Sequence, residues 1–163
     1  YYNKKDYPNS GIYAEKVLMN PKADDNVKSD AQIIIARAAI ETGDEAKAKV
    51  AYAKVLAIAK GELAAEALYY DAYFKNKEGK FEASNAAVQK IAKNYSSYKY
   101  FGAKGLILMA KNFYGLKDSY QATYILENVI QNFTDYPDVV SEAKTELNAI
   151  KTEEAKTNSS ITK

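Results

Sequence analysis

Residues 98–133, YKYFGAKGLILMAKNFYGLKDSYQATYILENVIQNF, decide the fold. Over Tyr98 to Tyr114 and again over Ser119 to Asn132, apolar residues return every three or four positions, a spacing that lays them along one side of an α-helix. Only a few polar residues separate the two runs, and a link that short joins antiparallel neighbours. The stretch therefore predicts a helical hairpin. Ala110 and Ala122 place one small residue in each helix, twelve apart, where close approach of two helices needs small side chains. Leu126 and Val129, four and seven residues further on, supply bulk for the groove towards the next hairpin.

The same arrangement extends towards the N-terminus. From Asp30, Ile33, Ile34, Ala36 and Ile40 trace a helical face that stops at Thr42-Gly43-Asp44. Ala46 to Lys60 predicts a second helix with Val50, Tyr52, Val55, Leu56 and Ile58 inward, ended by Gly61. Glu62 to Glu78, closed by Gly79, and Glu82 to Asn94 predict two more. Small residues recur at Ser10, Ala48, Ser84 and Ala122, with spacings of 38, 36 and 38. Ala14, Tyr52, Val88 and Leu126 lie four after each, and Val17, Val55, Ile91 and Val129 lie seven after each. Ala36, Ala72 and Ala110 stand twelve before the last three. A fixed period with this content predicts an all-α array of stacked hairpins. Pro137 to Ala155 reads as a last helix, with Val139, Val140, Ala143, Leu147 and Ile150 on one side and charge on the other, suited to closing the array. Thr157 to Lys163 lacks apolar periodicity and is expected to be a disordered tail.

The pattern resembles the tetratricopeptide repeat (TPR), whose unit is ~34 residues. The resemblance is closest in the last unit, where Leu106, Ala110, Phe113, Ala122, Leu126 and Val129 take the family's large and small positions. Asp71 and Lys75 depart from it, standing where the family has a Leu and an aromatic. The resemblance implies a right-handed superhelix: a half repeat over 1–21, repeats at about 26–60, 62–95 and 98–133, and a capping helix over 137–156. It also implies an upstream first helix pairing with Pro8 to Asn20. Lys80-Phe81-Glu82-Ala83 and Asn132-Phe133-Thr134-Asp135-Tyr136-Pro137 are similar to TPR modules of bacterial envelope proteins of the Tol-Pal and outer-membrane-assembly kind. This favours a bacterial periplasm or cell envelope over the cytoplasm.

Composition narrows the function. The 163 residues contain no Cys and no His, which removes thiol nucleophiles, His-based acid/base pairs and the usual zinc sites. The 23 basic and 21 acidic residues leave a net charge of +2, and Arg37 is the single arginine, so the basic footprint of a nucleic-acid binder is missing. No apolar run approaches the ~20 residues of a membrane span. Glu62 and Glu66, one turn apart, are a spacing common to any soluble helix, and no phosphate loop or strained nucleophile motif occurs. Asp24-Asp25 reads as a charge pair at a helix start. The chain is expected not to be an enzyme and to need no cofactor or metal.

By the resemblance, the first helix of each hairpin lines a concave surface where peptides lie. The outward residues of those helices would be Ile33, Arg37, Ile40 and Glu41, then Glu66, Tyr69, Tyr73 and Lys77, then Lys104, Ile107, Lys111 and Tyr114. Ile33, Arg37, Tyr69, Tyr73, Lys104, Ile107, Lys111 and Tyr114 are the expected partner contacts, tyrosines burying apolar area beside long cations. The family's carboxylate clamp is absent, because Ile33, Tyr69 and Ile107 occupy the places where it would begin. The fifteen tyrosines are expected mainly to fill gaps between helices rather than to stack on sugars or bases. The expected function is a scaffold binding a protein or peptide segment. The alternative is a structural spacer that self-associates through Tyr1, Tyr2, Tyr7 and Ile12 of the half repeat.

Overall fold

The computed structural model describes residues 5–161 and contains eight α-helices among them, with no strand. They are α1 (Tyr7–Leu18), α2 (Asp25–Glu41), α3 (Glu45–Ile58), α4 (Gly61–Lys77), α5 (Phe81–Asn94), α6 (Lys99–Gly115), α7 (Ser119–Asn132) and α8 (Pro137–Ile161). No helix among the described residues is long and apolar enough to cross a membrane.

Three of the turns share one construction. Gly43, Gly79 and Lys117 each adopt positive φ, at 76°, 72° and 68°. The residue after each donates its N–H back across the helix end: Asp44 to Ala39 (2.9 Å), Lys80 to Lys75 (2.9 Å) and Asp118 to Phe113 (2.8 Å). This left-handed ending satisfies carbonyls that the last helical turn leaves without partners. Asp44 and Asp118 then cap the next helix, accepting from Lys47 N–H and Gln121 N–H at 3.0 Å. Asp24 caps α2 from Val27 N–H in the same way, and Asp25 occupies the first turn, so the acidic pair is the helix start that the sequence implied.

The chain divides into two compact units, Tyr1–Asp71 and Ala72–Lys163. In the first, α1 packs on α2 and α2 on α3. Its core holds Ala31, Ile33, Ile35, Ala36, Ala38 and Ala39 of α2 with Ala48, Ala51, Tyr52 and Val55 of α3. In the second, α5 packs on α6, α6 on α7 and α7 on α8, and α6 also lies against α8. Ala103, Ile107 and Ala110 of α6, Ala122, Leu126 and Val129 of α7, and Val139, Ala143, Leu147 and Ile150 of α8 form one cluster there.

The small residues spaced twelve apart are all at 0% exposure: Ala36 and Ala48, Ala72 and Ser84, Ala110 and Ala122. Ser84 Oγ donates to the Ala72 carbonyl at 2.7 Å, which ties one such step together directly. A larger side chain at any of these positions would separate the helices it stands between.

The structure corrects several expectations. Val50 and Ile58 are 57% and 40% exposed: the buried stripe of α3 runs through Ala48, Ala51, Tyr52 and Val55, Val50 lies two places from both Ala48 and Tyr52 and points away, and Ile58 is the last residue of the helix. Gly61, expected to end a helix, has positive φ and opens α4. The tail expected from Thr157 is helical as far as Ile161. Each added residue there gains a backbone bond, and Thr157 Oγ1 and Ser159 Oγ donate to Glu153 and Lys156 carbonyls at 3.0 and 2.8 Å. Thr162 and Lys163 lie outside the described residues.

Candidate functional site

In the first unit, two helices converge on a buried carboxylate. Glu66 of α4 is 4% exposed. Arg37 Nε donates to its Oε1 at 2.9 Å and Arg37 Nη2 to its Oε2 at 2.5 Å, while the Tyr52 hydroxyl donates to Oε1 at 2.9 Å. The Tyr52 ring stacks on Tyr70 with centroids 4.0 Å apart, and Tyr69 meets Tyr70 edge-on at 5.0 Å. Burial, and then the Glu66 charge, push the Tyr52 hydroxyl far above the usual tyrosine range, so it stays protonated as a donor. A buried charge this well satisfied is a structural centre, since its lone pairs are spent inside the unit. Glu66 is thus not an outward residue, nor half of an exposed carboxylate pair with Glu62.

In the second unit, the face of α6 expected to meet a partner is instead its seam with α8. The Tyr100 hydroxyl donates to Asp138 at 2.8 Å, Lys104 pairs with Glu142 at 2.5 Å and Lys111 with Glu146 at 2.7 Å. Ile107 sits in the shared core, and Tyr114 packs against it. The hydrogen bond from Tyr100 draws the Asp138 carboxyl below its ordinary value, and burial followed by that bond raises Tyr100. On α4, Tyr73 is half-buried and carries Lys77 Nζ 5.5 Å from its ring centroid. Deeper in this unit, Asn112 donates to Ser84 Oγ (2.8 Å) and Asn85 Oδ1 (2.7 Å) and accepts from Asn76 (2.8 Å), a polar network at a fully buried position.

Of the eight expected contacts, three are not available. Ile33, Tyr69 and Ile107, one position repeated at 36 and 38 residues, are 3%, 7% and 1% exposed. The reason is clearest for Ile107, because α6 is flanked by α5, α7 and α8, which leaves that position no open side. Arg37, Tyr73, Lys104, Lys111 and Tyr114 keep partial exposure, with Arg37, Lys104 and Lys111 held in ion pairs. In α1, Ile12 is 49% exposed, while Tyr1 and Tyr2 lie outside the described residues.

Two concavities were not foreseen from the sequence. One, of about 400 Å³, opens in the second unit beside Ile91, Tyr95, Lys99, Leu106, Phe133 and Tyr136. Gly102 lines it, and a side chain placed there would meet nothing within 4 Å. The other, of about 330 Å³, lies along α1 and α2. No family model matches the chain, and no curated protein matches it either.

Proposed function

We propose that the chain is a TPR-like superhelical scaffold that binds a segment of another protein, in a bacterial envelope setting. The observation that carries the reading is the recurrence, at 36 and 38 residues, of fully buried small residues in consecutive helix pairs. Repeats of this kind build extended, rigid surfaces rather than catalytic clefts. The absence of His and Cys from the sequence agrees with binding rather than chemistry. The contacts are Tyr73 and Tyr114, with Lys77 beside the Tyr73 ring on α4. Arg37 is left out of the test because of its bond to Glu66.

The test compares the wild-type chain with a Tyr73→Ala, Tyr114→Ala double variant of unchanged helicity in affinity capture from envelope fractions. A protein retained by the wild type and lost from the variant supports the reading. Equal retention by both, or retention by neither, overturns it. The ladder between α6 and α8 favours a second reading, a structural spacer, because Lys104 and Lys111 are spent on Glu142 and Glu146. Unchanged capture would leave that reading standing.

A further inference from the structure

The 400 Å³ cavity of the second unit lies between two turns of one construction. Asn94-Tyr95-Ser96-Ser97-Tyr98 and Asn132-Phe133-Thr134-Asp135-Tyr136 stand 38 residues apart. In each, the N–H of the closing tyrosine donates back to the carbonyl of the first aromatic residue at 3.0 Å, Tyr98 to Tyr95 and Tyr136 to Phe133. Tyr95 and Phe133 end their helices with similar backbones, at φ −136° and −119°. These turns set the rings of Tyr95, Phe133 and Tyr136, each half-buried, around one space of small-molecule size. Tyr136 is further fixed by an edge-on contact with Tyr100, centroids 5.7 Å apart.

Side-chain size accounts for the space. By the repeat spacings of 36 and 38, Val88, Ala92 and Gly102 take the positions of Tyr52, Leu56 and Ala64, so three lining residues are smaller than their counterparts in the first unit. Two opposite charges, Lys99 and Asp135, line the same cavity. Both are exposed, and among the described residues neither makes an ion pair, with the other or elsewhere. Lys104, Lys111 and Lys151 of the same unit are each paired with a glutamate. A cation and an anion that share a cavity without pairing offer complementary charge to a molecule carrying both signs. The aromatic wall offers edge and face contacts to a ring.

We propose that this cavity binds a free aromatic α-amino acid. Its ring lies among Tyr95, Phe133 and Tyr136, its carboxylate meets Lys99 and its ammonium meets Asp135. A residue at the end of a peptide carries only one of the two charges beside its ring, so the free amino acid is the form that uses all three parts of the site. None of these residues belongs to the Tyr73 and Tyr114 face, so either proposal can fail without the other.

The test is isothermal titration calorimetry of the full chain with L-phenylalanine, alongside hydrocinnamate, which lacks the ammonium, and phenethylamine, which lacks the carboxylate. Saturable binding of L-phenylalanine is expected, with each analogue about tenfold weaker for want of one charge-assisted contact. Lys99→Gln should weaken L-phenylalanine about tenfold and leave phenethylamine unchanged, while Asp135→Asn should weaken L-phenylalanine about tenfold and leave hydrocinnamate unchanged. Gly102→Leu should abolish binding of all three without lowering the thermal midpoint, because a Cβ there meets nothing within 4 Å. No saturable binding of L-phenylalanine would overturn the proposal, and so would binding that survives Gly102→Leu. N-acetyl-L-phenylalanine binding as tightly as L-phenylalanine, with no effect of Asp135→Asn, would assign the cavity to the C-terminal residue of a peptide and overturn it as well.

Discussion

Arg37 grips Glu66 at two points, 2.9 and 2.5 Å, with the Tyr52 hydroxyl closing a third side of the same carboxylate. Removing one partner of such a pair leaves a buried charge with too few donors, which is costlier than never having had the pair. Arg37→Ala should lower stability by about 2–3 kcal/mol, less than for a fully enclosed pair because the Arg37 side chain is 36% exposed. Replacing both, Arg37→Met with Glu66→Leu, should recover most of the loss. Urea midpoints of the three proteins check this, and an unchanged midpoint for Arg37→Ala would show that the pair adds nothing to the fold.

Tyr52 makes a pH prediction with a definite sign. Its folded pKa lies above the unfolded one, so its contribution is fully present below about pH 10 and is lost as pH rises beyond that value. Each pH unit above 10 then costs about 1.4 kcal/mol through this group, until its folded pKa is reached. Tyr52→Phe should be about 1 kcal/mol less stable at pH 7, having lost the donor to Glu66, yet should lose less stability between pH 10 and 11. Paired urea titrations at pH 7, 10 and 11 measure both. Parallel losses in wild type and variant would place the alkaline sensitivity elsewhere.

The three matching turns use two glycines and one lysine. A side chain at positive φ costs roughly 1 kcal/mol. Lys117→Gly should therefore stabilise the chain by about that amount. Gly43→Ala should destabilise it similarly through the backbone alone, since a Cβ there would meet nothing within 4 Å. Thermal unfolding of the two variants tests the pair. A loss on Lys117→Gly would reveal a contact made by the lysine side chain.

Some positions were legible and others were not, for one reason. The residues at Ala36, Ala48, Ala72, Ser84, Ala110 and Ala122 are read from sequence because helix crossing demands a small side chain there whatever surrounds it. The stripe of α8 was legible for a similar reason, as Val139, Ala143, Leu147 and Ile150 repeat with the helical period. The outward face was not. Helical periodicity says which residues share a side, and Ile33, Tyr69 and Ile107 do share one with Arg37, Tyr73 and Lys111. It does not say whether a neighbouring helix will cover that side.

The sequence by itself determined the all-helical class, the hairpin period, the small-residue crossings and the apolar stripe of α8, all consequences of local backbone geometry and of the volume that two helices can share. Only the tertiary structure decided that Glu66 turns inward to Arg37 and Tyr52, and that Lys104 and Lys111 are spent on Glu142 and Glu146. These depend on which elements far apart in the chain come to lie side by side. A residue's exposure is set by its neighbours in space, and a single sequence records only its neighbours along the chain.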